Sequence, residues 1–347
     1  MTSQTISPHG LAAGVQGLGW QGATTALEFE DNGMRQRLLA LESPLWAVSA
    51  NNRTALTTSG SLSAAPGDAA LLAFVPALPL EALGDPAFCA TYGSRYALYA
   101  GAMANGIASV ELVVAMGKAG FFGSFGAAGL PPERIEAAIQ QVQAALPDGP
   151  YAFNLINNPF EPAMEQRAAD LYARYQVPVV EASAYLDITP GLVHYRAAGL
   201  SKNPDGRVMI GHHILAKLSR KEVARRFLVP APQELLARLV AEGKITAVQA
   251  ELARLVPMAD DITVEADSGG HTDNRPLVGL LPTMIALRDE IQGQFQFAVP
   301  VRIGAAGGIS TPQAALAAFM MGAAYVVTGS INQACVEAGA SDHTKAL

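Results

Sequence analysis

From residue 96 onward, two hydrophobic periods alternate along the chain. Short apolar runs fall at 96–104, 121–124, 151–155, 177–181, 214–218 and 261–266, with two more beginning at Val301 and Ala323. Between them lie stretches at 109–118, 131–146, 161–175, 189–198, 219–227 and 281–291 whose apolar positions recur every three or four residues. The first pattern predicts buried strands, the second amphipathic helices, and strict alternation predicts parallel βα units. Ser109 with Glu111, Ser219, and Thr311 before Pro312 read as helix starts. Eight strands in this order predict an α/β chain built on a (β/α)8 TIM barrel, which needs about 250 residues.

The remainder of the 347 residues divides into three parts. Residues 1–90 do not follow the barrel pattern and predict a small accessory region, leaving 91–347 for the barrel. Within 1–90, residues 3–25 are polar and glycine-rich, 45–48 and 70–75 are strand candidates, and 60–67 reads as a Ser/Ala/Pro/Gly loop. After the fifth strand, residues 231–258 form a helical insertion, read as two amphipathic helices broken at Gly243. Only a short helical run follows Ser330, whereas a closed barrel wants a full final helix, so the C-terminus reads as cut short.

Composition narrows the setting. A hydrophobic fraction of 50% supports a large core. The net charge of −7 argues against nucleic-acid or anionic-membrane partners. Cys89 and Cys335 show neither metal-ligand spacing nor a disulfide framework. The first basic residue is Arg35, so a signal peptide is not expected, and the apolar stretch 69–83 is broken by Pro76 and Pro79. These features read as a cytoplasmic protein without metal.

Candidate chemistry gathers at the strand ends. Gly307-Gly308 and Gly329-Ser330 each follow an apolar run and precede a helical start. Such turns expose backbone N–H groups to an anion, and loops after strands seven and eight are the usual phosphate site of this fold. His271 stands just past the sixth strand behind Gly269-Gly270, either as a hydrogen-bonded loop histidine or as an imidazole that can donate a proton near neutral pH at the barrel mouth. Asn154 is either a buried structural amide or a partner for a flat heteroaromatic ring. Lys217 lies inside an apolar run and either calls for a polar cavity or an anion or marks the end of its strand. His212-His213 are neighbours on a strand and point to opposite faces, which disfavours a shared metal. Arg220, Lys221, Arg225 and Arg226 form a basic helix, read as a solvated face or, more sharply, as a contact for a phosphate-bearing partner. Gly123, Gly126 and Gly129 have the wrong spacing for a dinucleotide fingerprint and are read as packing glycines.

Taken together, these stretches resemble a known group. Residues 102–109 (AMANGIAS), 123–129 (GSFGAAG) and Phe153-Asn154-Leu155 are similar to the first three strand ends of nitronate monooxygenase and flavin enoyl-reductase barrels. Residues 260–276 (DDITVEADSGGHTDNRP) and 335–341 (CVEAGAS) narrow the resemblance to the PfaD-like trans-acting enoyl reductases of polyunsaturated fatty acid and polyketide synthases. The resemblance runs from about residue 83 to 347.

It implies FMN as cofactor, NADPH as reductant, and an enoyl thioester on an acyl carrier protein of a fatty acid or polyketide synthase as substrate. It is compatible with a homodimer. It places the FMN phosphate on Gly307, Gly308, Gly329 and Ser330, with Thr328 and Gly269 alongside. Ala102, Met103 and Ala104 would back the ring, Asn154 would bond its edge, and Lys217 and Glu265 would stand nearby. Lys217 would stabilise negative charge on the reduced ring, and His271 would act on the thioester. A nitronate monooxygenase-type oxidase, a flavin-free barrel acting on a phosphorylated metabolite as isomerase or aldolase, and a non-catalytic docking subunit are the alternatives.

Overall fold

The computed structural model describes residues 18–64, 67–267 and 273–346. The chain divides into two compact units, residues 1–83 and 84–347.

In the first unit, Leu18–Gln21, Leu45–Ala50, Arg53–Thr57, Ser61–Ala64 and Ala69–Val75 form a five-stranded antiparallel sheet. Trp20, Trp46, Val48 and Leu71 pack its core. Two expectations are corrected here. Ser61–Ala64 is a strand rather than a loop, and it pairs with Leu18–Gln21, which lies in the stretch read as polar and glycine-rich. Trp20, fully buried among glycines, is the anchor that periodicity missed.

The second unit is a closed eight-stranded parallel barrel, as expected. Its strands are β1 (Leu98–Ala100), β2 (Phe122–Phe125), β3 (Ala152–Ile156), β4 (Val179–Ser183), β5 (His213–Leu218), β6 (Asp261–Glu265), β7 (Arg302–Ala306) and β8 (Val326–Thr328). Most of the predicted helices start where their caps predicted. Ser109 and Thr311 each accept a backbone N–H three residues on. Ser219 does not cap: the helix is Lys221–Leu228, and the Ser219 hydroxyl donates to Asp273 at 2.7 Å instead. Between β5 and β6 stand Gln233–Ala241 and Ala247–Ala253, the latter opened by a Thr246/Gln249 capping box.

Inward-facing side chains fill the barrel in layers. At its N-terminal end, helix Pro86–Tyr92 plugs the lumen, with Phe88 stacked on Tyr325 at 4.3 Å between ring centres. Arg302 meets Asp261 through Nε–Oδ1 at 2.7 Å and Nη2–Oδ2 at 2.8 Å, and also reaches Thr91 of the plug. The Tyr92 hydroxyl donates to the same carboxylate. Above this lie Tyr99, Phe122, Leu215, Thr263 and Tyr325, all fully buried. Thr263 Oγ1 is 2.8 Å from the Tyr325 hydroxyl. No described helix is long and apolar enough to cross a membrane.

Candidate active site

The strand C-termini open into a cleft of about 970 Å3, near the top of the range for small-molecule sites. Strands and the loops following them supply its lining, so the residues converge because the fold places all eight strand ends at one rim. Ala102, Met103, Ala104, Asn154, Lys217, Glu265, Gly307, Gly308, Thr328, Gly329 and Ser330 all line it. Gly269 and His271 lie outside the described residues.

The wall after β1 is held tightly. Asn105 N–H donates to Ala128 O at 2.7 Å, and Gly106 N–H to Gly126 O at 2.9 Å. A Cβ on Gly126 would stand 1.7 Å from Met103 O, so only glycine lets the β1 and β2 loops meet this closely. The glycines of the second turn are packing glycines, as expected. After β7, Gly308 has φ +71°, and a Cβ there would meet nothing within 4 Å. The turn after β7 is therefore open toward the cleft. At β8, Asn332 Nδ2 donates to Thr328 Oγ1 at 2.9 Å and closes the turn around Gly329.

The floor is charged. Lys217 Nζ lies 3.4 Å from Glu181 Oε1 and 3.2 Å from Glu265 Oε1. Burial alone would lower the lysine pKa, but the two carboxylates outweigh burial and raise it, so the ammonium stays charged. Lys217 thus meets both of the surroundings its position called for, cleft and anion. Its charge is already matched by two acidic partners of this chain, which tempers the expectation that it stabilises charge on a bound ring. Asn154 Nδ2 donates to Glu181 O at 3.0 Å and Ser183 Oγ at 2.7 Å. With the amide so oriented, its Oδ1 is the end left to accept.

Glu181 is the residue that sequence reading missed. It was the last position of a predicted strand, and a carboxylate ending an apolar run was the available signal. At the rim, Arg220 grips Asp273 through two bonds of 2.9 Å, and with the Ser219 hydroxyl holds that carboxyl down to about 2. Arg225 and Arg226 pair with Glu290 and Asp187, which fits the solvated-face reading of the basic helix. His212 stacks on Tyr195, while His213 turns to Asp260 and Tyr92, so the two rings face different surroundings.

A family model described as nitronate monooxygenase matches residues 89–347. The chain belongs to the nitronate monooxygenase family. Ahead of that family's barrel, residues 20–77 match a model described as the N-terminal domain of fatty acid synthase subunit PfaD. Among related family members, a polyunsaturated fatty acid synthase subunit of Thraustochytrium sp. is 48% identical over 90% of this chain and 21% of its own length. Polyketide biosynthesis protein PksE of Bacillus subtilis is 50% identical over 77% of this chain and 35% of its own. The chain thus spans about a third or less of these curated relatives. Among solved structures, the enoyl reductase domain of MlnA from the macrolactin cluster of Bacillus amyloliquefaciens is 43% identical, with a TM-score of 0.74 over 77% of this chain and 61% of that one. FabK from Thermotoga maritima, 20% identical with a TM-score of 0.52 over 75% of this chain and 66% of that one, shares the fold.

Proposed function

We propose that the barrel cleft is an FMN site and that the chain is an NADPH-consuming enoyl reductase. Its substrate would be an enoyl thioester on an acyl carrier protein of a polyunsaturated fatty acid or polyketide synthase. The observation that carries this reading is the gathering of unlike walls in one cleft. Anion-type turns follow β7 and β8, the Ala102-Met103-Ala104 wall follows the neighbouring β1, and Asn154 and Lys217 stand on β3 and β5 across the mouth. The 43% identity to the MlnA enoyl reductase domain supports the same class of reaction.

The residues present fit FMN. Gly308 leaves the space that a phosphate would need, and Gly329 likewise has nothing within 4 Å of a built Cβ. Gly307, Gly308, Gly329 and Ser330 would hold the phosphate through backbone N–H groups and the serine hydroxyl. Ala102, Met103 and Ala104 offer an uncharged surface for the ring, and Asn154 Oδ1 an acceptor for its imide edge. Bound there, FMN would take hydride from NADPH and supply it to the β-carbon of the enoyl group. The barrel contributes orientation, exclusion of water and charge. We assign His271 to the thioester carbonyl or the α-proton, because negative charge develops there.

The test is the spectrum of the chromophore. Purified protein should be yellow or turn so on FMN addition, bleach anaerobically with NADPH, and recover colour with an enoyl thioester. Recovery only with nitronate plus oxygen would favour the oxidase reading, which the family model keeps open. A protein that takes up no flavin would favour the flavin-free barrel.

Gly308→Asp should abolish FMN binding while leaving the fold intact. A Cβ at this position meets no protein atom within 4 Å, so the main cost to the fold is left-handed backbone strain, about 1–2 kcal/mol. On this reading the new carboxylate would stand against the phosphate and repel it. Flavin occupancy unchanged from wild type would show that the phosphate sits elsewhere.

A further inference from the structure

We infer that Glu181 is a positioning residue, a carboxylate strut that crosses the barrel lumen to hold the β1 wall of the cleft and Lys217 together. Its bearing on the cofactor rests on the FMN reading; the strut itself does not.

Glu181 is fully buried on β4. Its Oε2 accepts the Ala102 N–H at 3.0 Å, and its Oε1 lies 3.3 Å from the same nitrogen. Two strands, β2 and β3, separate β4 from β1 around the barrel. The contact therefore spans the lumen rather than following the sheet ladder. Gly101 helps to keep the passage clear, since a Cβ there would already crowd Val327 Cγ1 at 2.9 Å and stand 3.9 Å from Glu181 Oε2. From β5, Lys217 Nζ meets Oε1 at 3.4 Å. One carboxylate thus serves two donors from opposite sides of the barrel.

That pairing sets a chemical requirement. Ala102 N–H and the lysine ammonium are both donors, and a carboxylate offers two acceptor oxygens. An amide of the same shape has one acceptor and one donor. Glu181→Gln must therefore turn its NH2 toward either Ala102 or Lys217, and one wall of the cleft moves. Removing the ammonium should lift this conflict, since the amide oxygen can then face Ala102 alone. The expected signature is a rescue: the double variant E181Q/K217M behaves better at Ala102 than E181Q does.

The experiment is amide hydrogen exchange at residues 101–104 in the flavin-free protein, followed by FMN titration of the same variants. E181Q should exchange about tenfold faster or more at Ala102, the scale of one lost buried hydrogen bond. K217M alone should leave that amide protected. E181Q/K217M should return to within about threefold of K217M, a coupling that independent sites would not show. FMN affinity should fall about tenfold or more in E181Q, in step with the exchange. Unchanged exchange in E181Q, or a double variant no better protected than E181Q, overturns the strut. Should E181Q not fold, the double variant decides: folded with Ala102 protected supports the strut, and unfolded or unprotected overturns it. If wild-type protein binds no FMN, the proposed function fails, while the exchange data still judge Glu181.

Discussion

Asp261→Asn should be among the most destabilising single changes in the barrel, at about 3–5 kcal/mol, the usual cost of stranding one member of a buried ion pair. Asp261 is fully buried and Arg302 nearly so. Burial pushes the Asp261 carboxyl up, and the Arg302 guanidinium and Tyr92 hydroxyl oppose that rise. The asparagine keeps one acceptor for Arg302 but places an NH2 against a second donor, Tyr92 or the guanidinium itself. Arg302 is left charged, because a guanidinium is not deprotonated in a protein, and it has lost the carboxylate that paired with it. Because Arg302 also reaches Thr91, the loss spreads to the plug helix Pro86–Tyr92. By calorimetry the barrel transition should fall by roughly 10 °C, given about 2–4 °C per kcal/mol for a unit of this size. A shift under about 2 °C would mean that the network is replaceable by water and does not hold the plug.

The second large effect concerns the acyl half of the proposed reaction. His271→Ala should leave FMN binding nearly intact, and NADPH should still bleach the flavin at a near-normal rate. Recovery of colour on adding an enoyl thioester should slow by roughly two to four orders of magnitude, the scale of a lost general acid or oxyanion donor. The reasoning is positional: His271 follows the end of β6 by six residues, whereas the anion-type turns belong to β7 and β8. Stopped-flow measurement of the two half-reactions separates the roles. Collapse of the NADPH step with survival of the thioester step would reassign His271 to the nicotinamide or the flavin.

Why the barrel was legible and the first unit less so comes down to burial. A parallel strand covered on both faces reads as an unbroken apolar run, as in Ile214-Leu215-Ala216 and Val179-Val180. The strands Leu18–Gln21 and Ser61–Ala64 hold few apolar residues and are fixed by pairing with each other, information that is not local. Ser219 shows the same limit at a helix start, since its local preference to cap loses to a partner 54 residues away. In the cleft, Asn154, Lys217 and the paired glycines could be singled out because each breaks its surroundings, a polar group in an apolar strand or a turn after one. Glu181 breaks its strand in the same way, yet its partners come from β1 and β5, so its importance emerges only once the barrel is closed.

The packed lumen also carries a kinetic consequence. Among the described residues, Tyr99, Phe122 and Tyr325 fill the barrel axis, and Phe88 of the plug helix packs against Tyr325 and Phe122. The charged floor is therefore reached from the strand C-terminal side, not along the axis. On the proposed reading, spent nicotinamide has to vacate before the acyl group can take its turn. Where both use the same space over the floor, double-reciprocal plots at several NADPH concentrations should run parallel; intersecting plots would show that the cleft holds the two together.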